Sequence, residues 1–312
     1  MSHQFPAGPG RRPGLEAGRP ALVVAAYAVC AVAWGTTWYA IRRSLPGFPP
    51  APGVAIRFLI AAAVFWGVLG ARRHEAGALR ARWKVVAVAG LLNATGYALV
   101  YEAERRITGG LAAVLFATMP LVVGFVAAGL GVERLRLRQV AGALVGVAGV
   151  GLLFRDEFAA GGAASAQGVG LVLASVGCAS LHSVLVKRYA PDVGAVAVSA
   201  VFATVTSLAT FVAWPLAFRA QTVRWDPASG AALLYLALVG TVLAFGAYFY
   251  LLRRVRVTTV ATLSLLTPVV ALALDALGGE RTPSAAGLAG AAVVLAGVAL
   301  TMRGERPSGR PG

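Results

Sequence analysis

Three side chains that can form hydrogen bonds recur at four-residue intervals inside one apolar stretch of the chain. Asn93, Tyr97 and Tyr101 fall within residues 84–103, and a spacing of four places them on one face of a helix. Polar groups are costly where they face lipid, so this face should line a cavity or contact neighbouring helices. We expect these residues to bind a small-molecule substrate; hydrogen bonding between helices, with an interfacial tyrosine, is the alternative.

Aromatic side chains lie about one helical turn apart in two further apolar stretches. Trp34 and Trp38 form one such pair, and Phe245 is followed by Tyr248 and Phe249 in the other. We expect Trp34, Trp38, Tyr248 and Phe249 to form walls of the substrate site, because such sites are lined mainly by apolar and aromatic side chains. The alternatives are an aromatic belt at the membrane interface and simple helix packing.

A single histidine, His182, lies inside an apolar stretch. We expect its imidazole to hydrogen-bond a substrate or to carry a proton near neutral pH; a packing role is the alternative. No second histidine lies in the same apolar stretch to suggest a metal site, and we expect no cofactor. Cys30 and Cys178 both fall within apolar stretches and are most simply small buried hydrophobes.

Charged residues inside or beside apolar stretches need a partner or water. Arg57 is the clearest case, and Glu102, Glu104 and Asp275 are carboxylates that could pair with it. Such a pair could be a gate or a structural tie, and we favour the structural tie. Glu102 or Asp275 could instead relay protons in an antiporter.

Two prolines, Pro120 and Pro268, lie within apolar stretches, where each removes a backbone hydrogen bond and tends to kink its helix. We predict that both kinks act as hinges; static packing geometry is the alternative. Glycines spaced along residues 137–154 and 284–302 should let helices approach closely, as internal packing or as a dimer seam.

The elements that must position these residues are membrane-spanning helices. Hydrophobic residues make up 58% of the 312-residue chain and charged residues only 13%, against roughly 25% charged residues in soluble domains. The apolar residues come in blocks of about twenty, the length that crosses a bilayer. They predict ten spans, numbered here in chain order: 21–41, 51–71, 84–103, 109–130, 137–154, 168–188, 194–216, 230–252, 257–277 and 284–302.

The basic residues predict an orientation. With both termini on one side, that side holds 19 Lys and Arg, the opposite loops hold eight, and Arg57 lies inside a span. Because cytoplasmic loops carry the excess of basic residues, we expect both termini in the cytoplasm. The net charge of +16 is scattered over short loops, so we expect no nucleic-acid partner.

The two halves of the chain resemble each other at an offset of 148 residues. Nine of fifteen positions are identical between 141–155 and 289–303, and Pro120 aligns with Pro268. With five spans in each half, the second half must enter the membrane in the opposite sense, which predicts an all-α integral membrane protein of two inverted five-helix repeats. The predicted organisation is a cytoplasmic tail 1–20, a first repeat 21–155, a linker 156–167, a second repeat 168–303 and a tail 304–312.

Several local motifs, in the same order in both halves, resemble the EamA-type transporters of the drug/metabolite transporter superfamily. They are Trp34-Gly35, Arg57-Phe58, Met119-Pro120, Thr267-Pro268, and the Glu133 and Glu280 that precede the glycine-spaced helices. The second half departs from the pattern, with Ser180 at the position equivalent to Gly35 and no arginine equivalent to Arg57. The resemblance implies a multi-pass exporter of the bacterial inner membrane, with amino acids a common substrate class, as in the YddG-like exporters.

An inverted repeat is typical of alternating-access transporters. We therefore expect a secondary transporter that exports small metabolites, most of all amino acids, with protons as a candidate second partner. An exporter or flippase of drug-like or lipid-linked substrates is the alternative within this class, and an intramembrane enzyme is the alternative outside it. No P-loop is present for ATP, and the sequence leaves monomer and homodimer open.

Overall fold

The structure, a computed structural model, describes residues 20–71, 76–104, 106–107, 109–156, 166–217, 222–277 and 284–303. All regular secondary structure in these ranges is helical, and the helices keep the span numbers introduced above. Spans 1 to 3 are Pro20–Ser44, Pro50–Gly70 and Ala76–Glu104, span 4 is Gly109–Phe116 with Met119–Gly129, and span 5 is Leu137–Leu153. Spans 6 to 8 are Ala166–Tyr189, Ala195–Ala217 and Pro227–Arg254, span 9 is Val257–Ala261 with Leu263–Leu277, and span 10 is Ala285–Met302.

Most of these helices are long and apolar enough to cross a membrane. Within the described ranges, nine helical segments meet that condition, and Leu137–Leu153 is a shorter apolar helix of 17 residues. A helix rises about 1.5 Å per residue, so 17 residues cover roughly 26 Å, close to the ~30 Å of a hydrocarbon core. The predicted all-helical architecture, with nine or ten helices able to span a membrane among the described residues, is therefore confirmed.

Local sequence explains where several helices begin and end. Span 8 follows Asp226, whose side chain accepts a hydrogen bond from the Ser229 backbone amide, and hydrogen bonds from Ser229 lower the pKa of Asp226. Span 10 follows Ser284, which accepts from the Gly287 amide in the same way. These are N-cap contacts that satisfy otherwise unpaired amides at a helix start. Span 4 is followed by Gly131, whose φ of 65° suits a residue without a side chain.

Spans 4 and 9 are both interrupted, but only one interruption lies beside its proline. In span 4 the helix breaks immediately before Met119, so that Pro120 falls in the first turn of the second segment. Proline is well tolerated there because that amide has no helical partner. In span 9 the break lies at Thr262, and Pro268 sits inside the continuous helix that follows. The interruption of span 9 thus lies six residues before Pro268.

Contacts between loops show that consecutive loops lie at alternate ends of the bundle, where loop n follows span n. At one end, the backbone amide of Arg224 in loop 7 donates to the Gly47 carbonyl in loop 1 at 2.8 Å. At the other end, Glu133 in loop 4 pairs with Arg256 between spans 8 and 9, and Asp192 in loop 6 pairs with Arg82 near the start of span 3. We call these the odd-loop end and the even-loop end.

The helices pack in pairs that join the two halves of the chain. Span 3 packs along span 6 and span 1 along span 8, while span 2 packs against span 7 and span 5 against span 10. The last pair meets at four glycines, which we call the seam: Gly142, Gly149, Gly290 and Gly297. A Cβ on Gly297 would lie 2.6 Å from the Gly142 carbonyl oxygen, and one on Gly290 would lie 2.7 Å from that of Gly149. The close packing predicted for these glycines is therefore found within one chain.

Candidate functional site

Eight rings from six spans form a continuous group at the centre of the bundle, which we call the aromatic cluster. Its members are Trp34, Phe58, Tyr97, His182, Phe202, Phe245, Tyr248 and Phe249. Phe245 connects the group, because its ring centroid lies 5.6 Å from that of Trp34, 5.9 Å from Phe58 and 5.1 Å from Phe202. These are the edge and tilted contacts that aromatic rings prefer.

Burial differs across the cluster. The side chains of Phe58, Phe202 and Phe249 are at most 1% exposed, whereas Trp34 and Tyr97 are only partly buried. Trp34 lies against Tyr248 at 5.4 Å, and Tyr97 against Phe58 at 5.6 Å. Trp34 and Tyr97 are therefore the most exposed rings of this cluster.

Polar atoms accompany the rings on spans 6 and 8. The Tyr248 hydroxyl is hydrogen-bonded to the Ser183 hydroxyl at 2.5 Å, and Ser183 also donates to the Ala179 carbonyl. His182 packs between Phe202 and Tyr248, and its Nδ1 is buried with no hydrogen-bond partner among the described residues. A buried polar atom without a partner is costly, so this nitrogen is available to a polar group of a bound molecule.

Five of the eight predicted substrate residues belong to this cluster: Trp34, Tyr97, His182, Tyr248 and Phe249. Asn93 lies elsewhere, because its amide donates to Thr206 of span 7 at 3.2 Å and Thr206 in turn donates to the Gly90 carbonyl. That geometry is the helix–helix hydrogen bonding considered as the alternative for Asn93. The side chains of Trp38 and Tyr101 lie outside the described part of the structure.

The predicted pairing of Arg57 with a carboxylate differs from what the described residues show. Arg57 is 4% exposed, and it donates from Nε to the Thr241 hydroxyl at 2.6 Å and from Nη2 to the Gly240 carbonyl at 2.9 Å. Glu102 pairs instead with Arg106, one helical turn along the chain. The side chains of Glu104 and Asp275 lie outside the described part.

The hydrogen bonds of Arg57 go to an irregular part of span 8, where Leu238–Leu243 forms a π-helical turn. Widening a helix by one residue frees carbonyl groups from their usual partners, and such turns often mark functional sites. Gly240 also leaves space: a Cβ there would lie 2.7 Å from Thr37 Cγ2 and 3.3 Å from Arg57 Nη2. The guanidinium therefore fits into a notch on span 8 that the sequence pattern did not reveal.

A second charged group, Glu133, lies at the even-loop end. Its carboxylate accepts hydrogen bonds from the Val257 amide at 2.6 Å, from the Thr258 hydroxyl at 3.0 Å and from Arg256 Nε at 3.3 Å. Gln139 of span 5 donates to Thr258 as well. Glu133, in the loop after span 4, thus accepts hydrogen bonds from the first residues of span 9 and links the two halves of the chain.

Sequence reasoning missed Phe202 entirely and did not count Phe58 or Phe245 as site residues. Phe202 lies in an apolar span whose other markers, such as Ser199 and Thr206, are small, so nothing distinguishes it from a lipid-facing ring. The signal that could have found Phe58 was its position beside Arg57, because a charge in a span must point inward.

An all-helical bundle with many membrane-capable helices and a ring-lined centre shared by both halves of the chain defines a polytopic membrane protein. Residues 21–155 and 166–303 each match the EamA-like transporter family. The chain belongs to this family, and the resemblance stated from the sequence motifs is confirmed. The family description and the names of the relatives indicate a membrane transporter rather than an enzyme.

Relatives match over most of their length. The chain is 30% identical over 275 residues to "Uncharacterized inner membrane transporter YedA" of Escherichia coli K12, covering 87% of this chain and 88% of the relative. It is 28% identical over 292 residues to "Probable amino-acid metabolite efflux pump" of Salmonella typhimurium LT2, covering 88% and 93%. A protein crystal structure superposes with a TM-score of 0.77 at 26% identity, covering 91% of this chain and 96% of that one.

Proposed function

We propose that the protein is a secondary transporter of the bacterial inner membrane that exports small metabolites, with amino acids as the substrate class, by alternating access. Within this proposal the chain crosses the membrane ten times as two inverted five-span repeats, and the even-loop end faces the cytoplasm. The observation that carries it is the aromatic cluster, because the rings come from both halves of the chain and meet where those halves pack together.

The contacts at the seam support the inverted repeat. Gly142 approaches Gly297, and Gly149 approaches Gly290. The offset of 148 converts Gly142 into Gly290 and Gly149 into Gly297, so the two contacts exchange with each other, as a two-fold axis requires. From Gly142 to Gly149 the residue numbers rise along span 5, whereas the residues that they contact on span 10 fall from 297 to 290. These two corresponding spans therefore run in opposite directions.

The packing of the other spans follows the same exchange. Spans 1 to 5 correspond in order to spans 6 to 10. Exchanging each span for its counterpart turns the packing of span 3 on span 6 into that of span 8 on span 1, and the packing of span 4 on span 6 into that of span 9 on span 1. Two halves related in this way have two equivalent arrangements, one open to each side of the membrane. Alternating access around a central site follows from that symmetry.

The chemistry of the cluster supports a substrate that is partly apolar and partly polar. Rings provide a large apolar wall at little cost in side-chain entropy, and the Tyr248 hydroxyl and His182 Nδ1 provide polar contacts beside it. An amino acid with an apolar or aromatic side chain combines both properties. The name of the Salmonella relative, which refers to amino-acid metabolites, supports the same class.

The orientation rests on the loop charges. The even-loop end and the two termini together hold 19 of the 28 basic residues. Contacts that join the regions of loops 2 and 6, loops 4 and 6, and loops 4 and 8 support one common end for these loops. By the positive-inside rule this end faces the cytoplasm. The inner membrane follows from the relatives that carry that name.

Counterflow in proteoliposomes tests the proposal. The purified protein would be reconstituted, the vesicles loaded with single unlabelled amino acids, and uptake of the same labelled amino acid followed with and without a pH gradient. We expect counterflow for at least one apolar or aromatic amino acid, and a change of its rate with the gradient if protons are the second partner. Counterflow of no amino acid, in vesicles shown to contain folded protein, would exclude the proposed substrate class.

A further inference from the structure

A cleft opens at the odd-loop end beside Arg57. It lies between the end of span 1, the start of span 2 and the start of span 8. Apolar side chains form most of its walls, among them Leu45 just after span 1, Val54 on span 2 and Leu236 on span 8. Arg57 lies two helical turns along span 2 from its start, so it is the deepest of the span 2 residues that line the cleft.

Arg57 has unused hydrogen-bonding capacity. Its guanidinium carries five N–H donors, and the structure pairs two of them, one on Nε and one on Nη2. Within the described residues no carboxylate pairs with it. Since an isolated charge in an apolar environment is strongly disfavoured, an anion is the group that would satisfy this site.

The guanidinium is also held in one orientation. Its Nε and Nη2 are fixed by Thr241 and Gly240 on the π-helical turn of span 8, and its charge lies 5.6 Å from the ring centroid of Phe58. The remaining edge, formed by Nη1 and the second Nη2 hydrogen, matches the two oxygens of a carboxylate. A fixed, planar donor pair at the base of an apolar cleft is suited to a carboxylate that carries an apolar group.

We propose that Arg57 binds the carboxylate of the transported molecule at the odd-loop end, with the apolar part of that molecule against the cleft walls. This rests on the proposed transport function and narrows the substrate class to carboxylates with an apolar side chain. A neutral amide of the same shape would leave the Arg57 charge uncompensated and bind more weakly. The phosphate of a phospholipid headgroup offers the same anionic chemistry, so the test must separate the two sources.

Binding is measured without transport, so that the site and the transport function can fail separately. The purified protein in phospholipid-free detergent would be titrated with hexanoate and with hexanamide, which share an apolar chain and differ in charge. We expect hexanoate to bind at least roughly tenfold more tightly than hexanamide, the equivalent of about 1.4 kcal/mol. Equal binding of the two compounds would overturn the proposal.

Two variants and one matched control locate the site. Arg57→Gln should weaken hexanoate binding by roughly tenfold or more, and Leu45→Trp, which leaves Arg57 in place and adds bulk to a partly exposed cleft wall, should weaken it as well. Arg224→Gln removes an exposed arginine from loop 7 at the same end of the bundle and should leave binding unchanged. Hexanoate binding that survives both Arg57→Gln and Leu45→Trp in folded protein would overturn the assignment.

Competition separates the two sources of the anion. Leucine should displace hexanoate if the site receives the carboxylate of an amino acid. Displacement by phosphatidylglycerol in mixed micelles, with no displacement by leucine, would overturn the assignment to a transported molecule and assign the site to a lipid headgroup. If leucine displaces hexanoate but counterflow is absent, the carboxylate site stands and the transport proposal fails.

Discussion

The seam and the aromatic cluster both join the two halves of the chain, but they do so with opposite kinds of packing. At the seam, backbone meets backbone: a Cβ on Gly297 would lie 2.5 Å from the Gly146 amide nitrogen and 2.6 Å from the Gly142 carbonyl oxygen. In the cluster, rings meet rings at 5.1 to 6.4 Å between centroids, and Trp34 and Tyr97 remain partly exposed.

This difference indicates that the seam and the aromatic cluster have different roles. Backbone atoms in direct contact cannot move past one another without separating the helices, because close packing leaves no room. Side chains on rotatable bonds can change rotamer and admit a molecule between them. The seam is therefore suited to hold the halves at a fixed distance. The cluster is suited to open and close during the alternating access that we propose.

The largest effect is expected from breaking the seam. Gly297→Leu would place side-chain atoms onto the backbone of span 5, and we expect it to destabilise the protein by about 3 kcal/mol or more or to prevent folding. The measurement is the yield of monodisperse protein and its thermal unfolding midpoint in detergent. Gly151→Leu, on span 5 where nothing lies within 4 Å of the added Cβ, is the matched control. A Gly297→Leu protein that unfolds at the control's temperature would show that the seam is not tightly packed.

The second largest effect is expected at the hydrogen bonds that Glu133 of the first half makes with span 9 of the second half. Glu133→Ala removes three hydrogen bonds and leaves the Val257 amide without its partner, so we expect a loss of about 2 kcal/mol in the free energy of unfolding. Asp192→Ala at the same end breaks a half-exposed ion pair and should cost less than about 1 kcal/mol. Comparable shifts of the unfolding midpoint in the two variants would argue against Glu133 as a stabilising contact between the two halves.

A functional effect without a stability effect is expected in the cluster. Tyr97→Ala removes a partly exposed ring that contacts Phe58, and His182→Ala removes the imidazole that is packed between two rings. We expect each to reduce the initial counterflow rate by roughly tenfold, the equivalent of about 1.4 kcal/mol, while expression stays near that of the parent protein. Leu91→Ala, an exposed position on the same span as Tyr97, is the control. Normal counterflow in both cluster variants would remove the cluster from the substrate path.

The smallest effect is expected for Asn93, which the sequence grouped with Tyr97. Its hydrogen bond to Thr206 should contribute about 1 kcal/mol to stability, and Asn93→Ala should leave counterflow nearly unchanged. Because both residues belong to one interaction, Asn93→Ala and Thr206→Ala together should cost less than the sum of the single changes. A large loss of counterflow in Asn93→Ala would return this residue to the substrate site.

The fold was more predictable than the site because different physical signals report them. Hydropathy marked every span, since a bilayer imposes length and composition on each helix separately. The glycine spacing likewise predicted close packing, because only a missing side chain allows it. Periodicity placed Asn93 and Tyr97 on one face, but a face 6 Å long can meet two neighbouring helices, one at Thr206 and one at Phe58.

What the sequence could not supply was the pairing of side chains across helices. We expected a carboxylate partner for Arg57, yet its hydrogen bonds go to the Thr241 hydroxyl and the Gly240 carbonyl of a π-helical turn, which is a local departure from α-helical geometry. The break in span 9, at Thr262, lies among contacts with span 1 that sequence periodicity does not report. Those contacts include the hydrogen bond between the Thr262 and Tyr27 hydroxyls.

Distances between spin labels at the two ends of the bundle test alternating access most directly. In a protein without Cys30 and Cys178, one pair of labels would be placed at Gly129 and Tyr189, at the even-loop end. A second pair would be placed at Arg43 and Leu277, which are exposed and lie at or within one residue of the corresponding positions at the odd-loop end. We predict that adding a transported amino acid shifts the two distance distributions in opposite directions, while a pair across spans 5 and 10 stays constant. Distances that shift in the same direction, or a change across the seam as large as at the ends, would contradict the account.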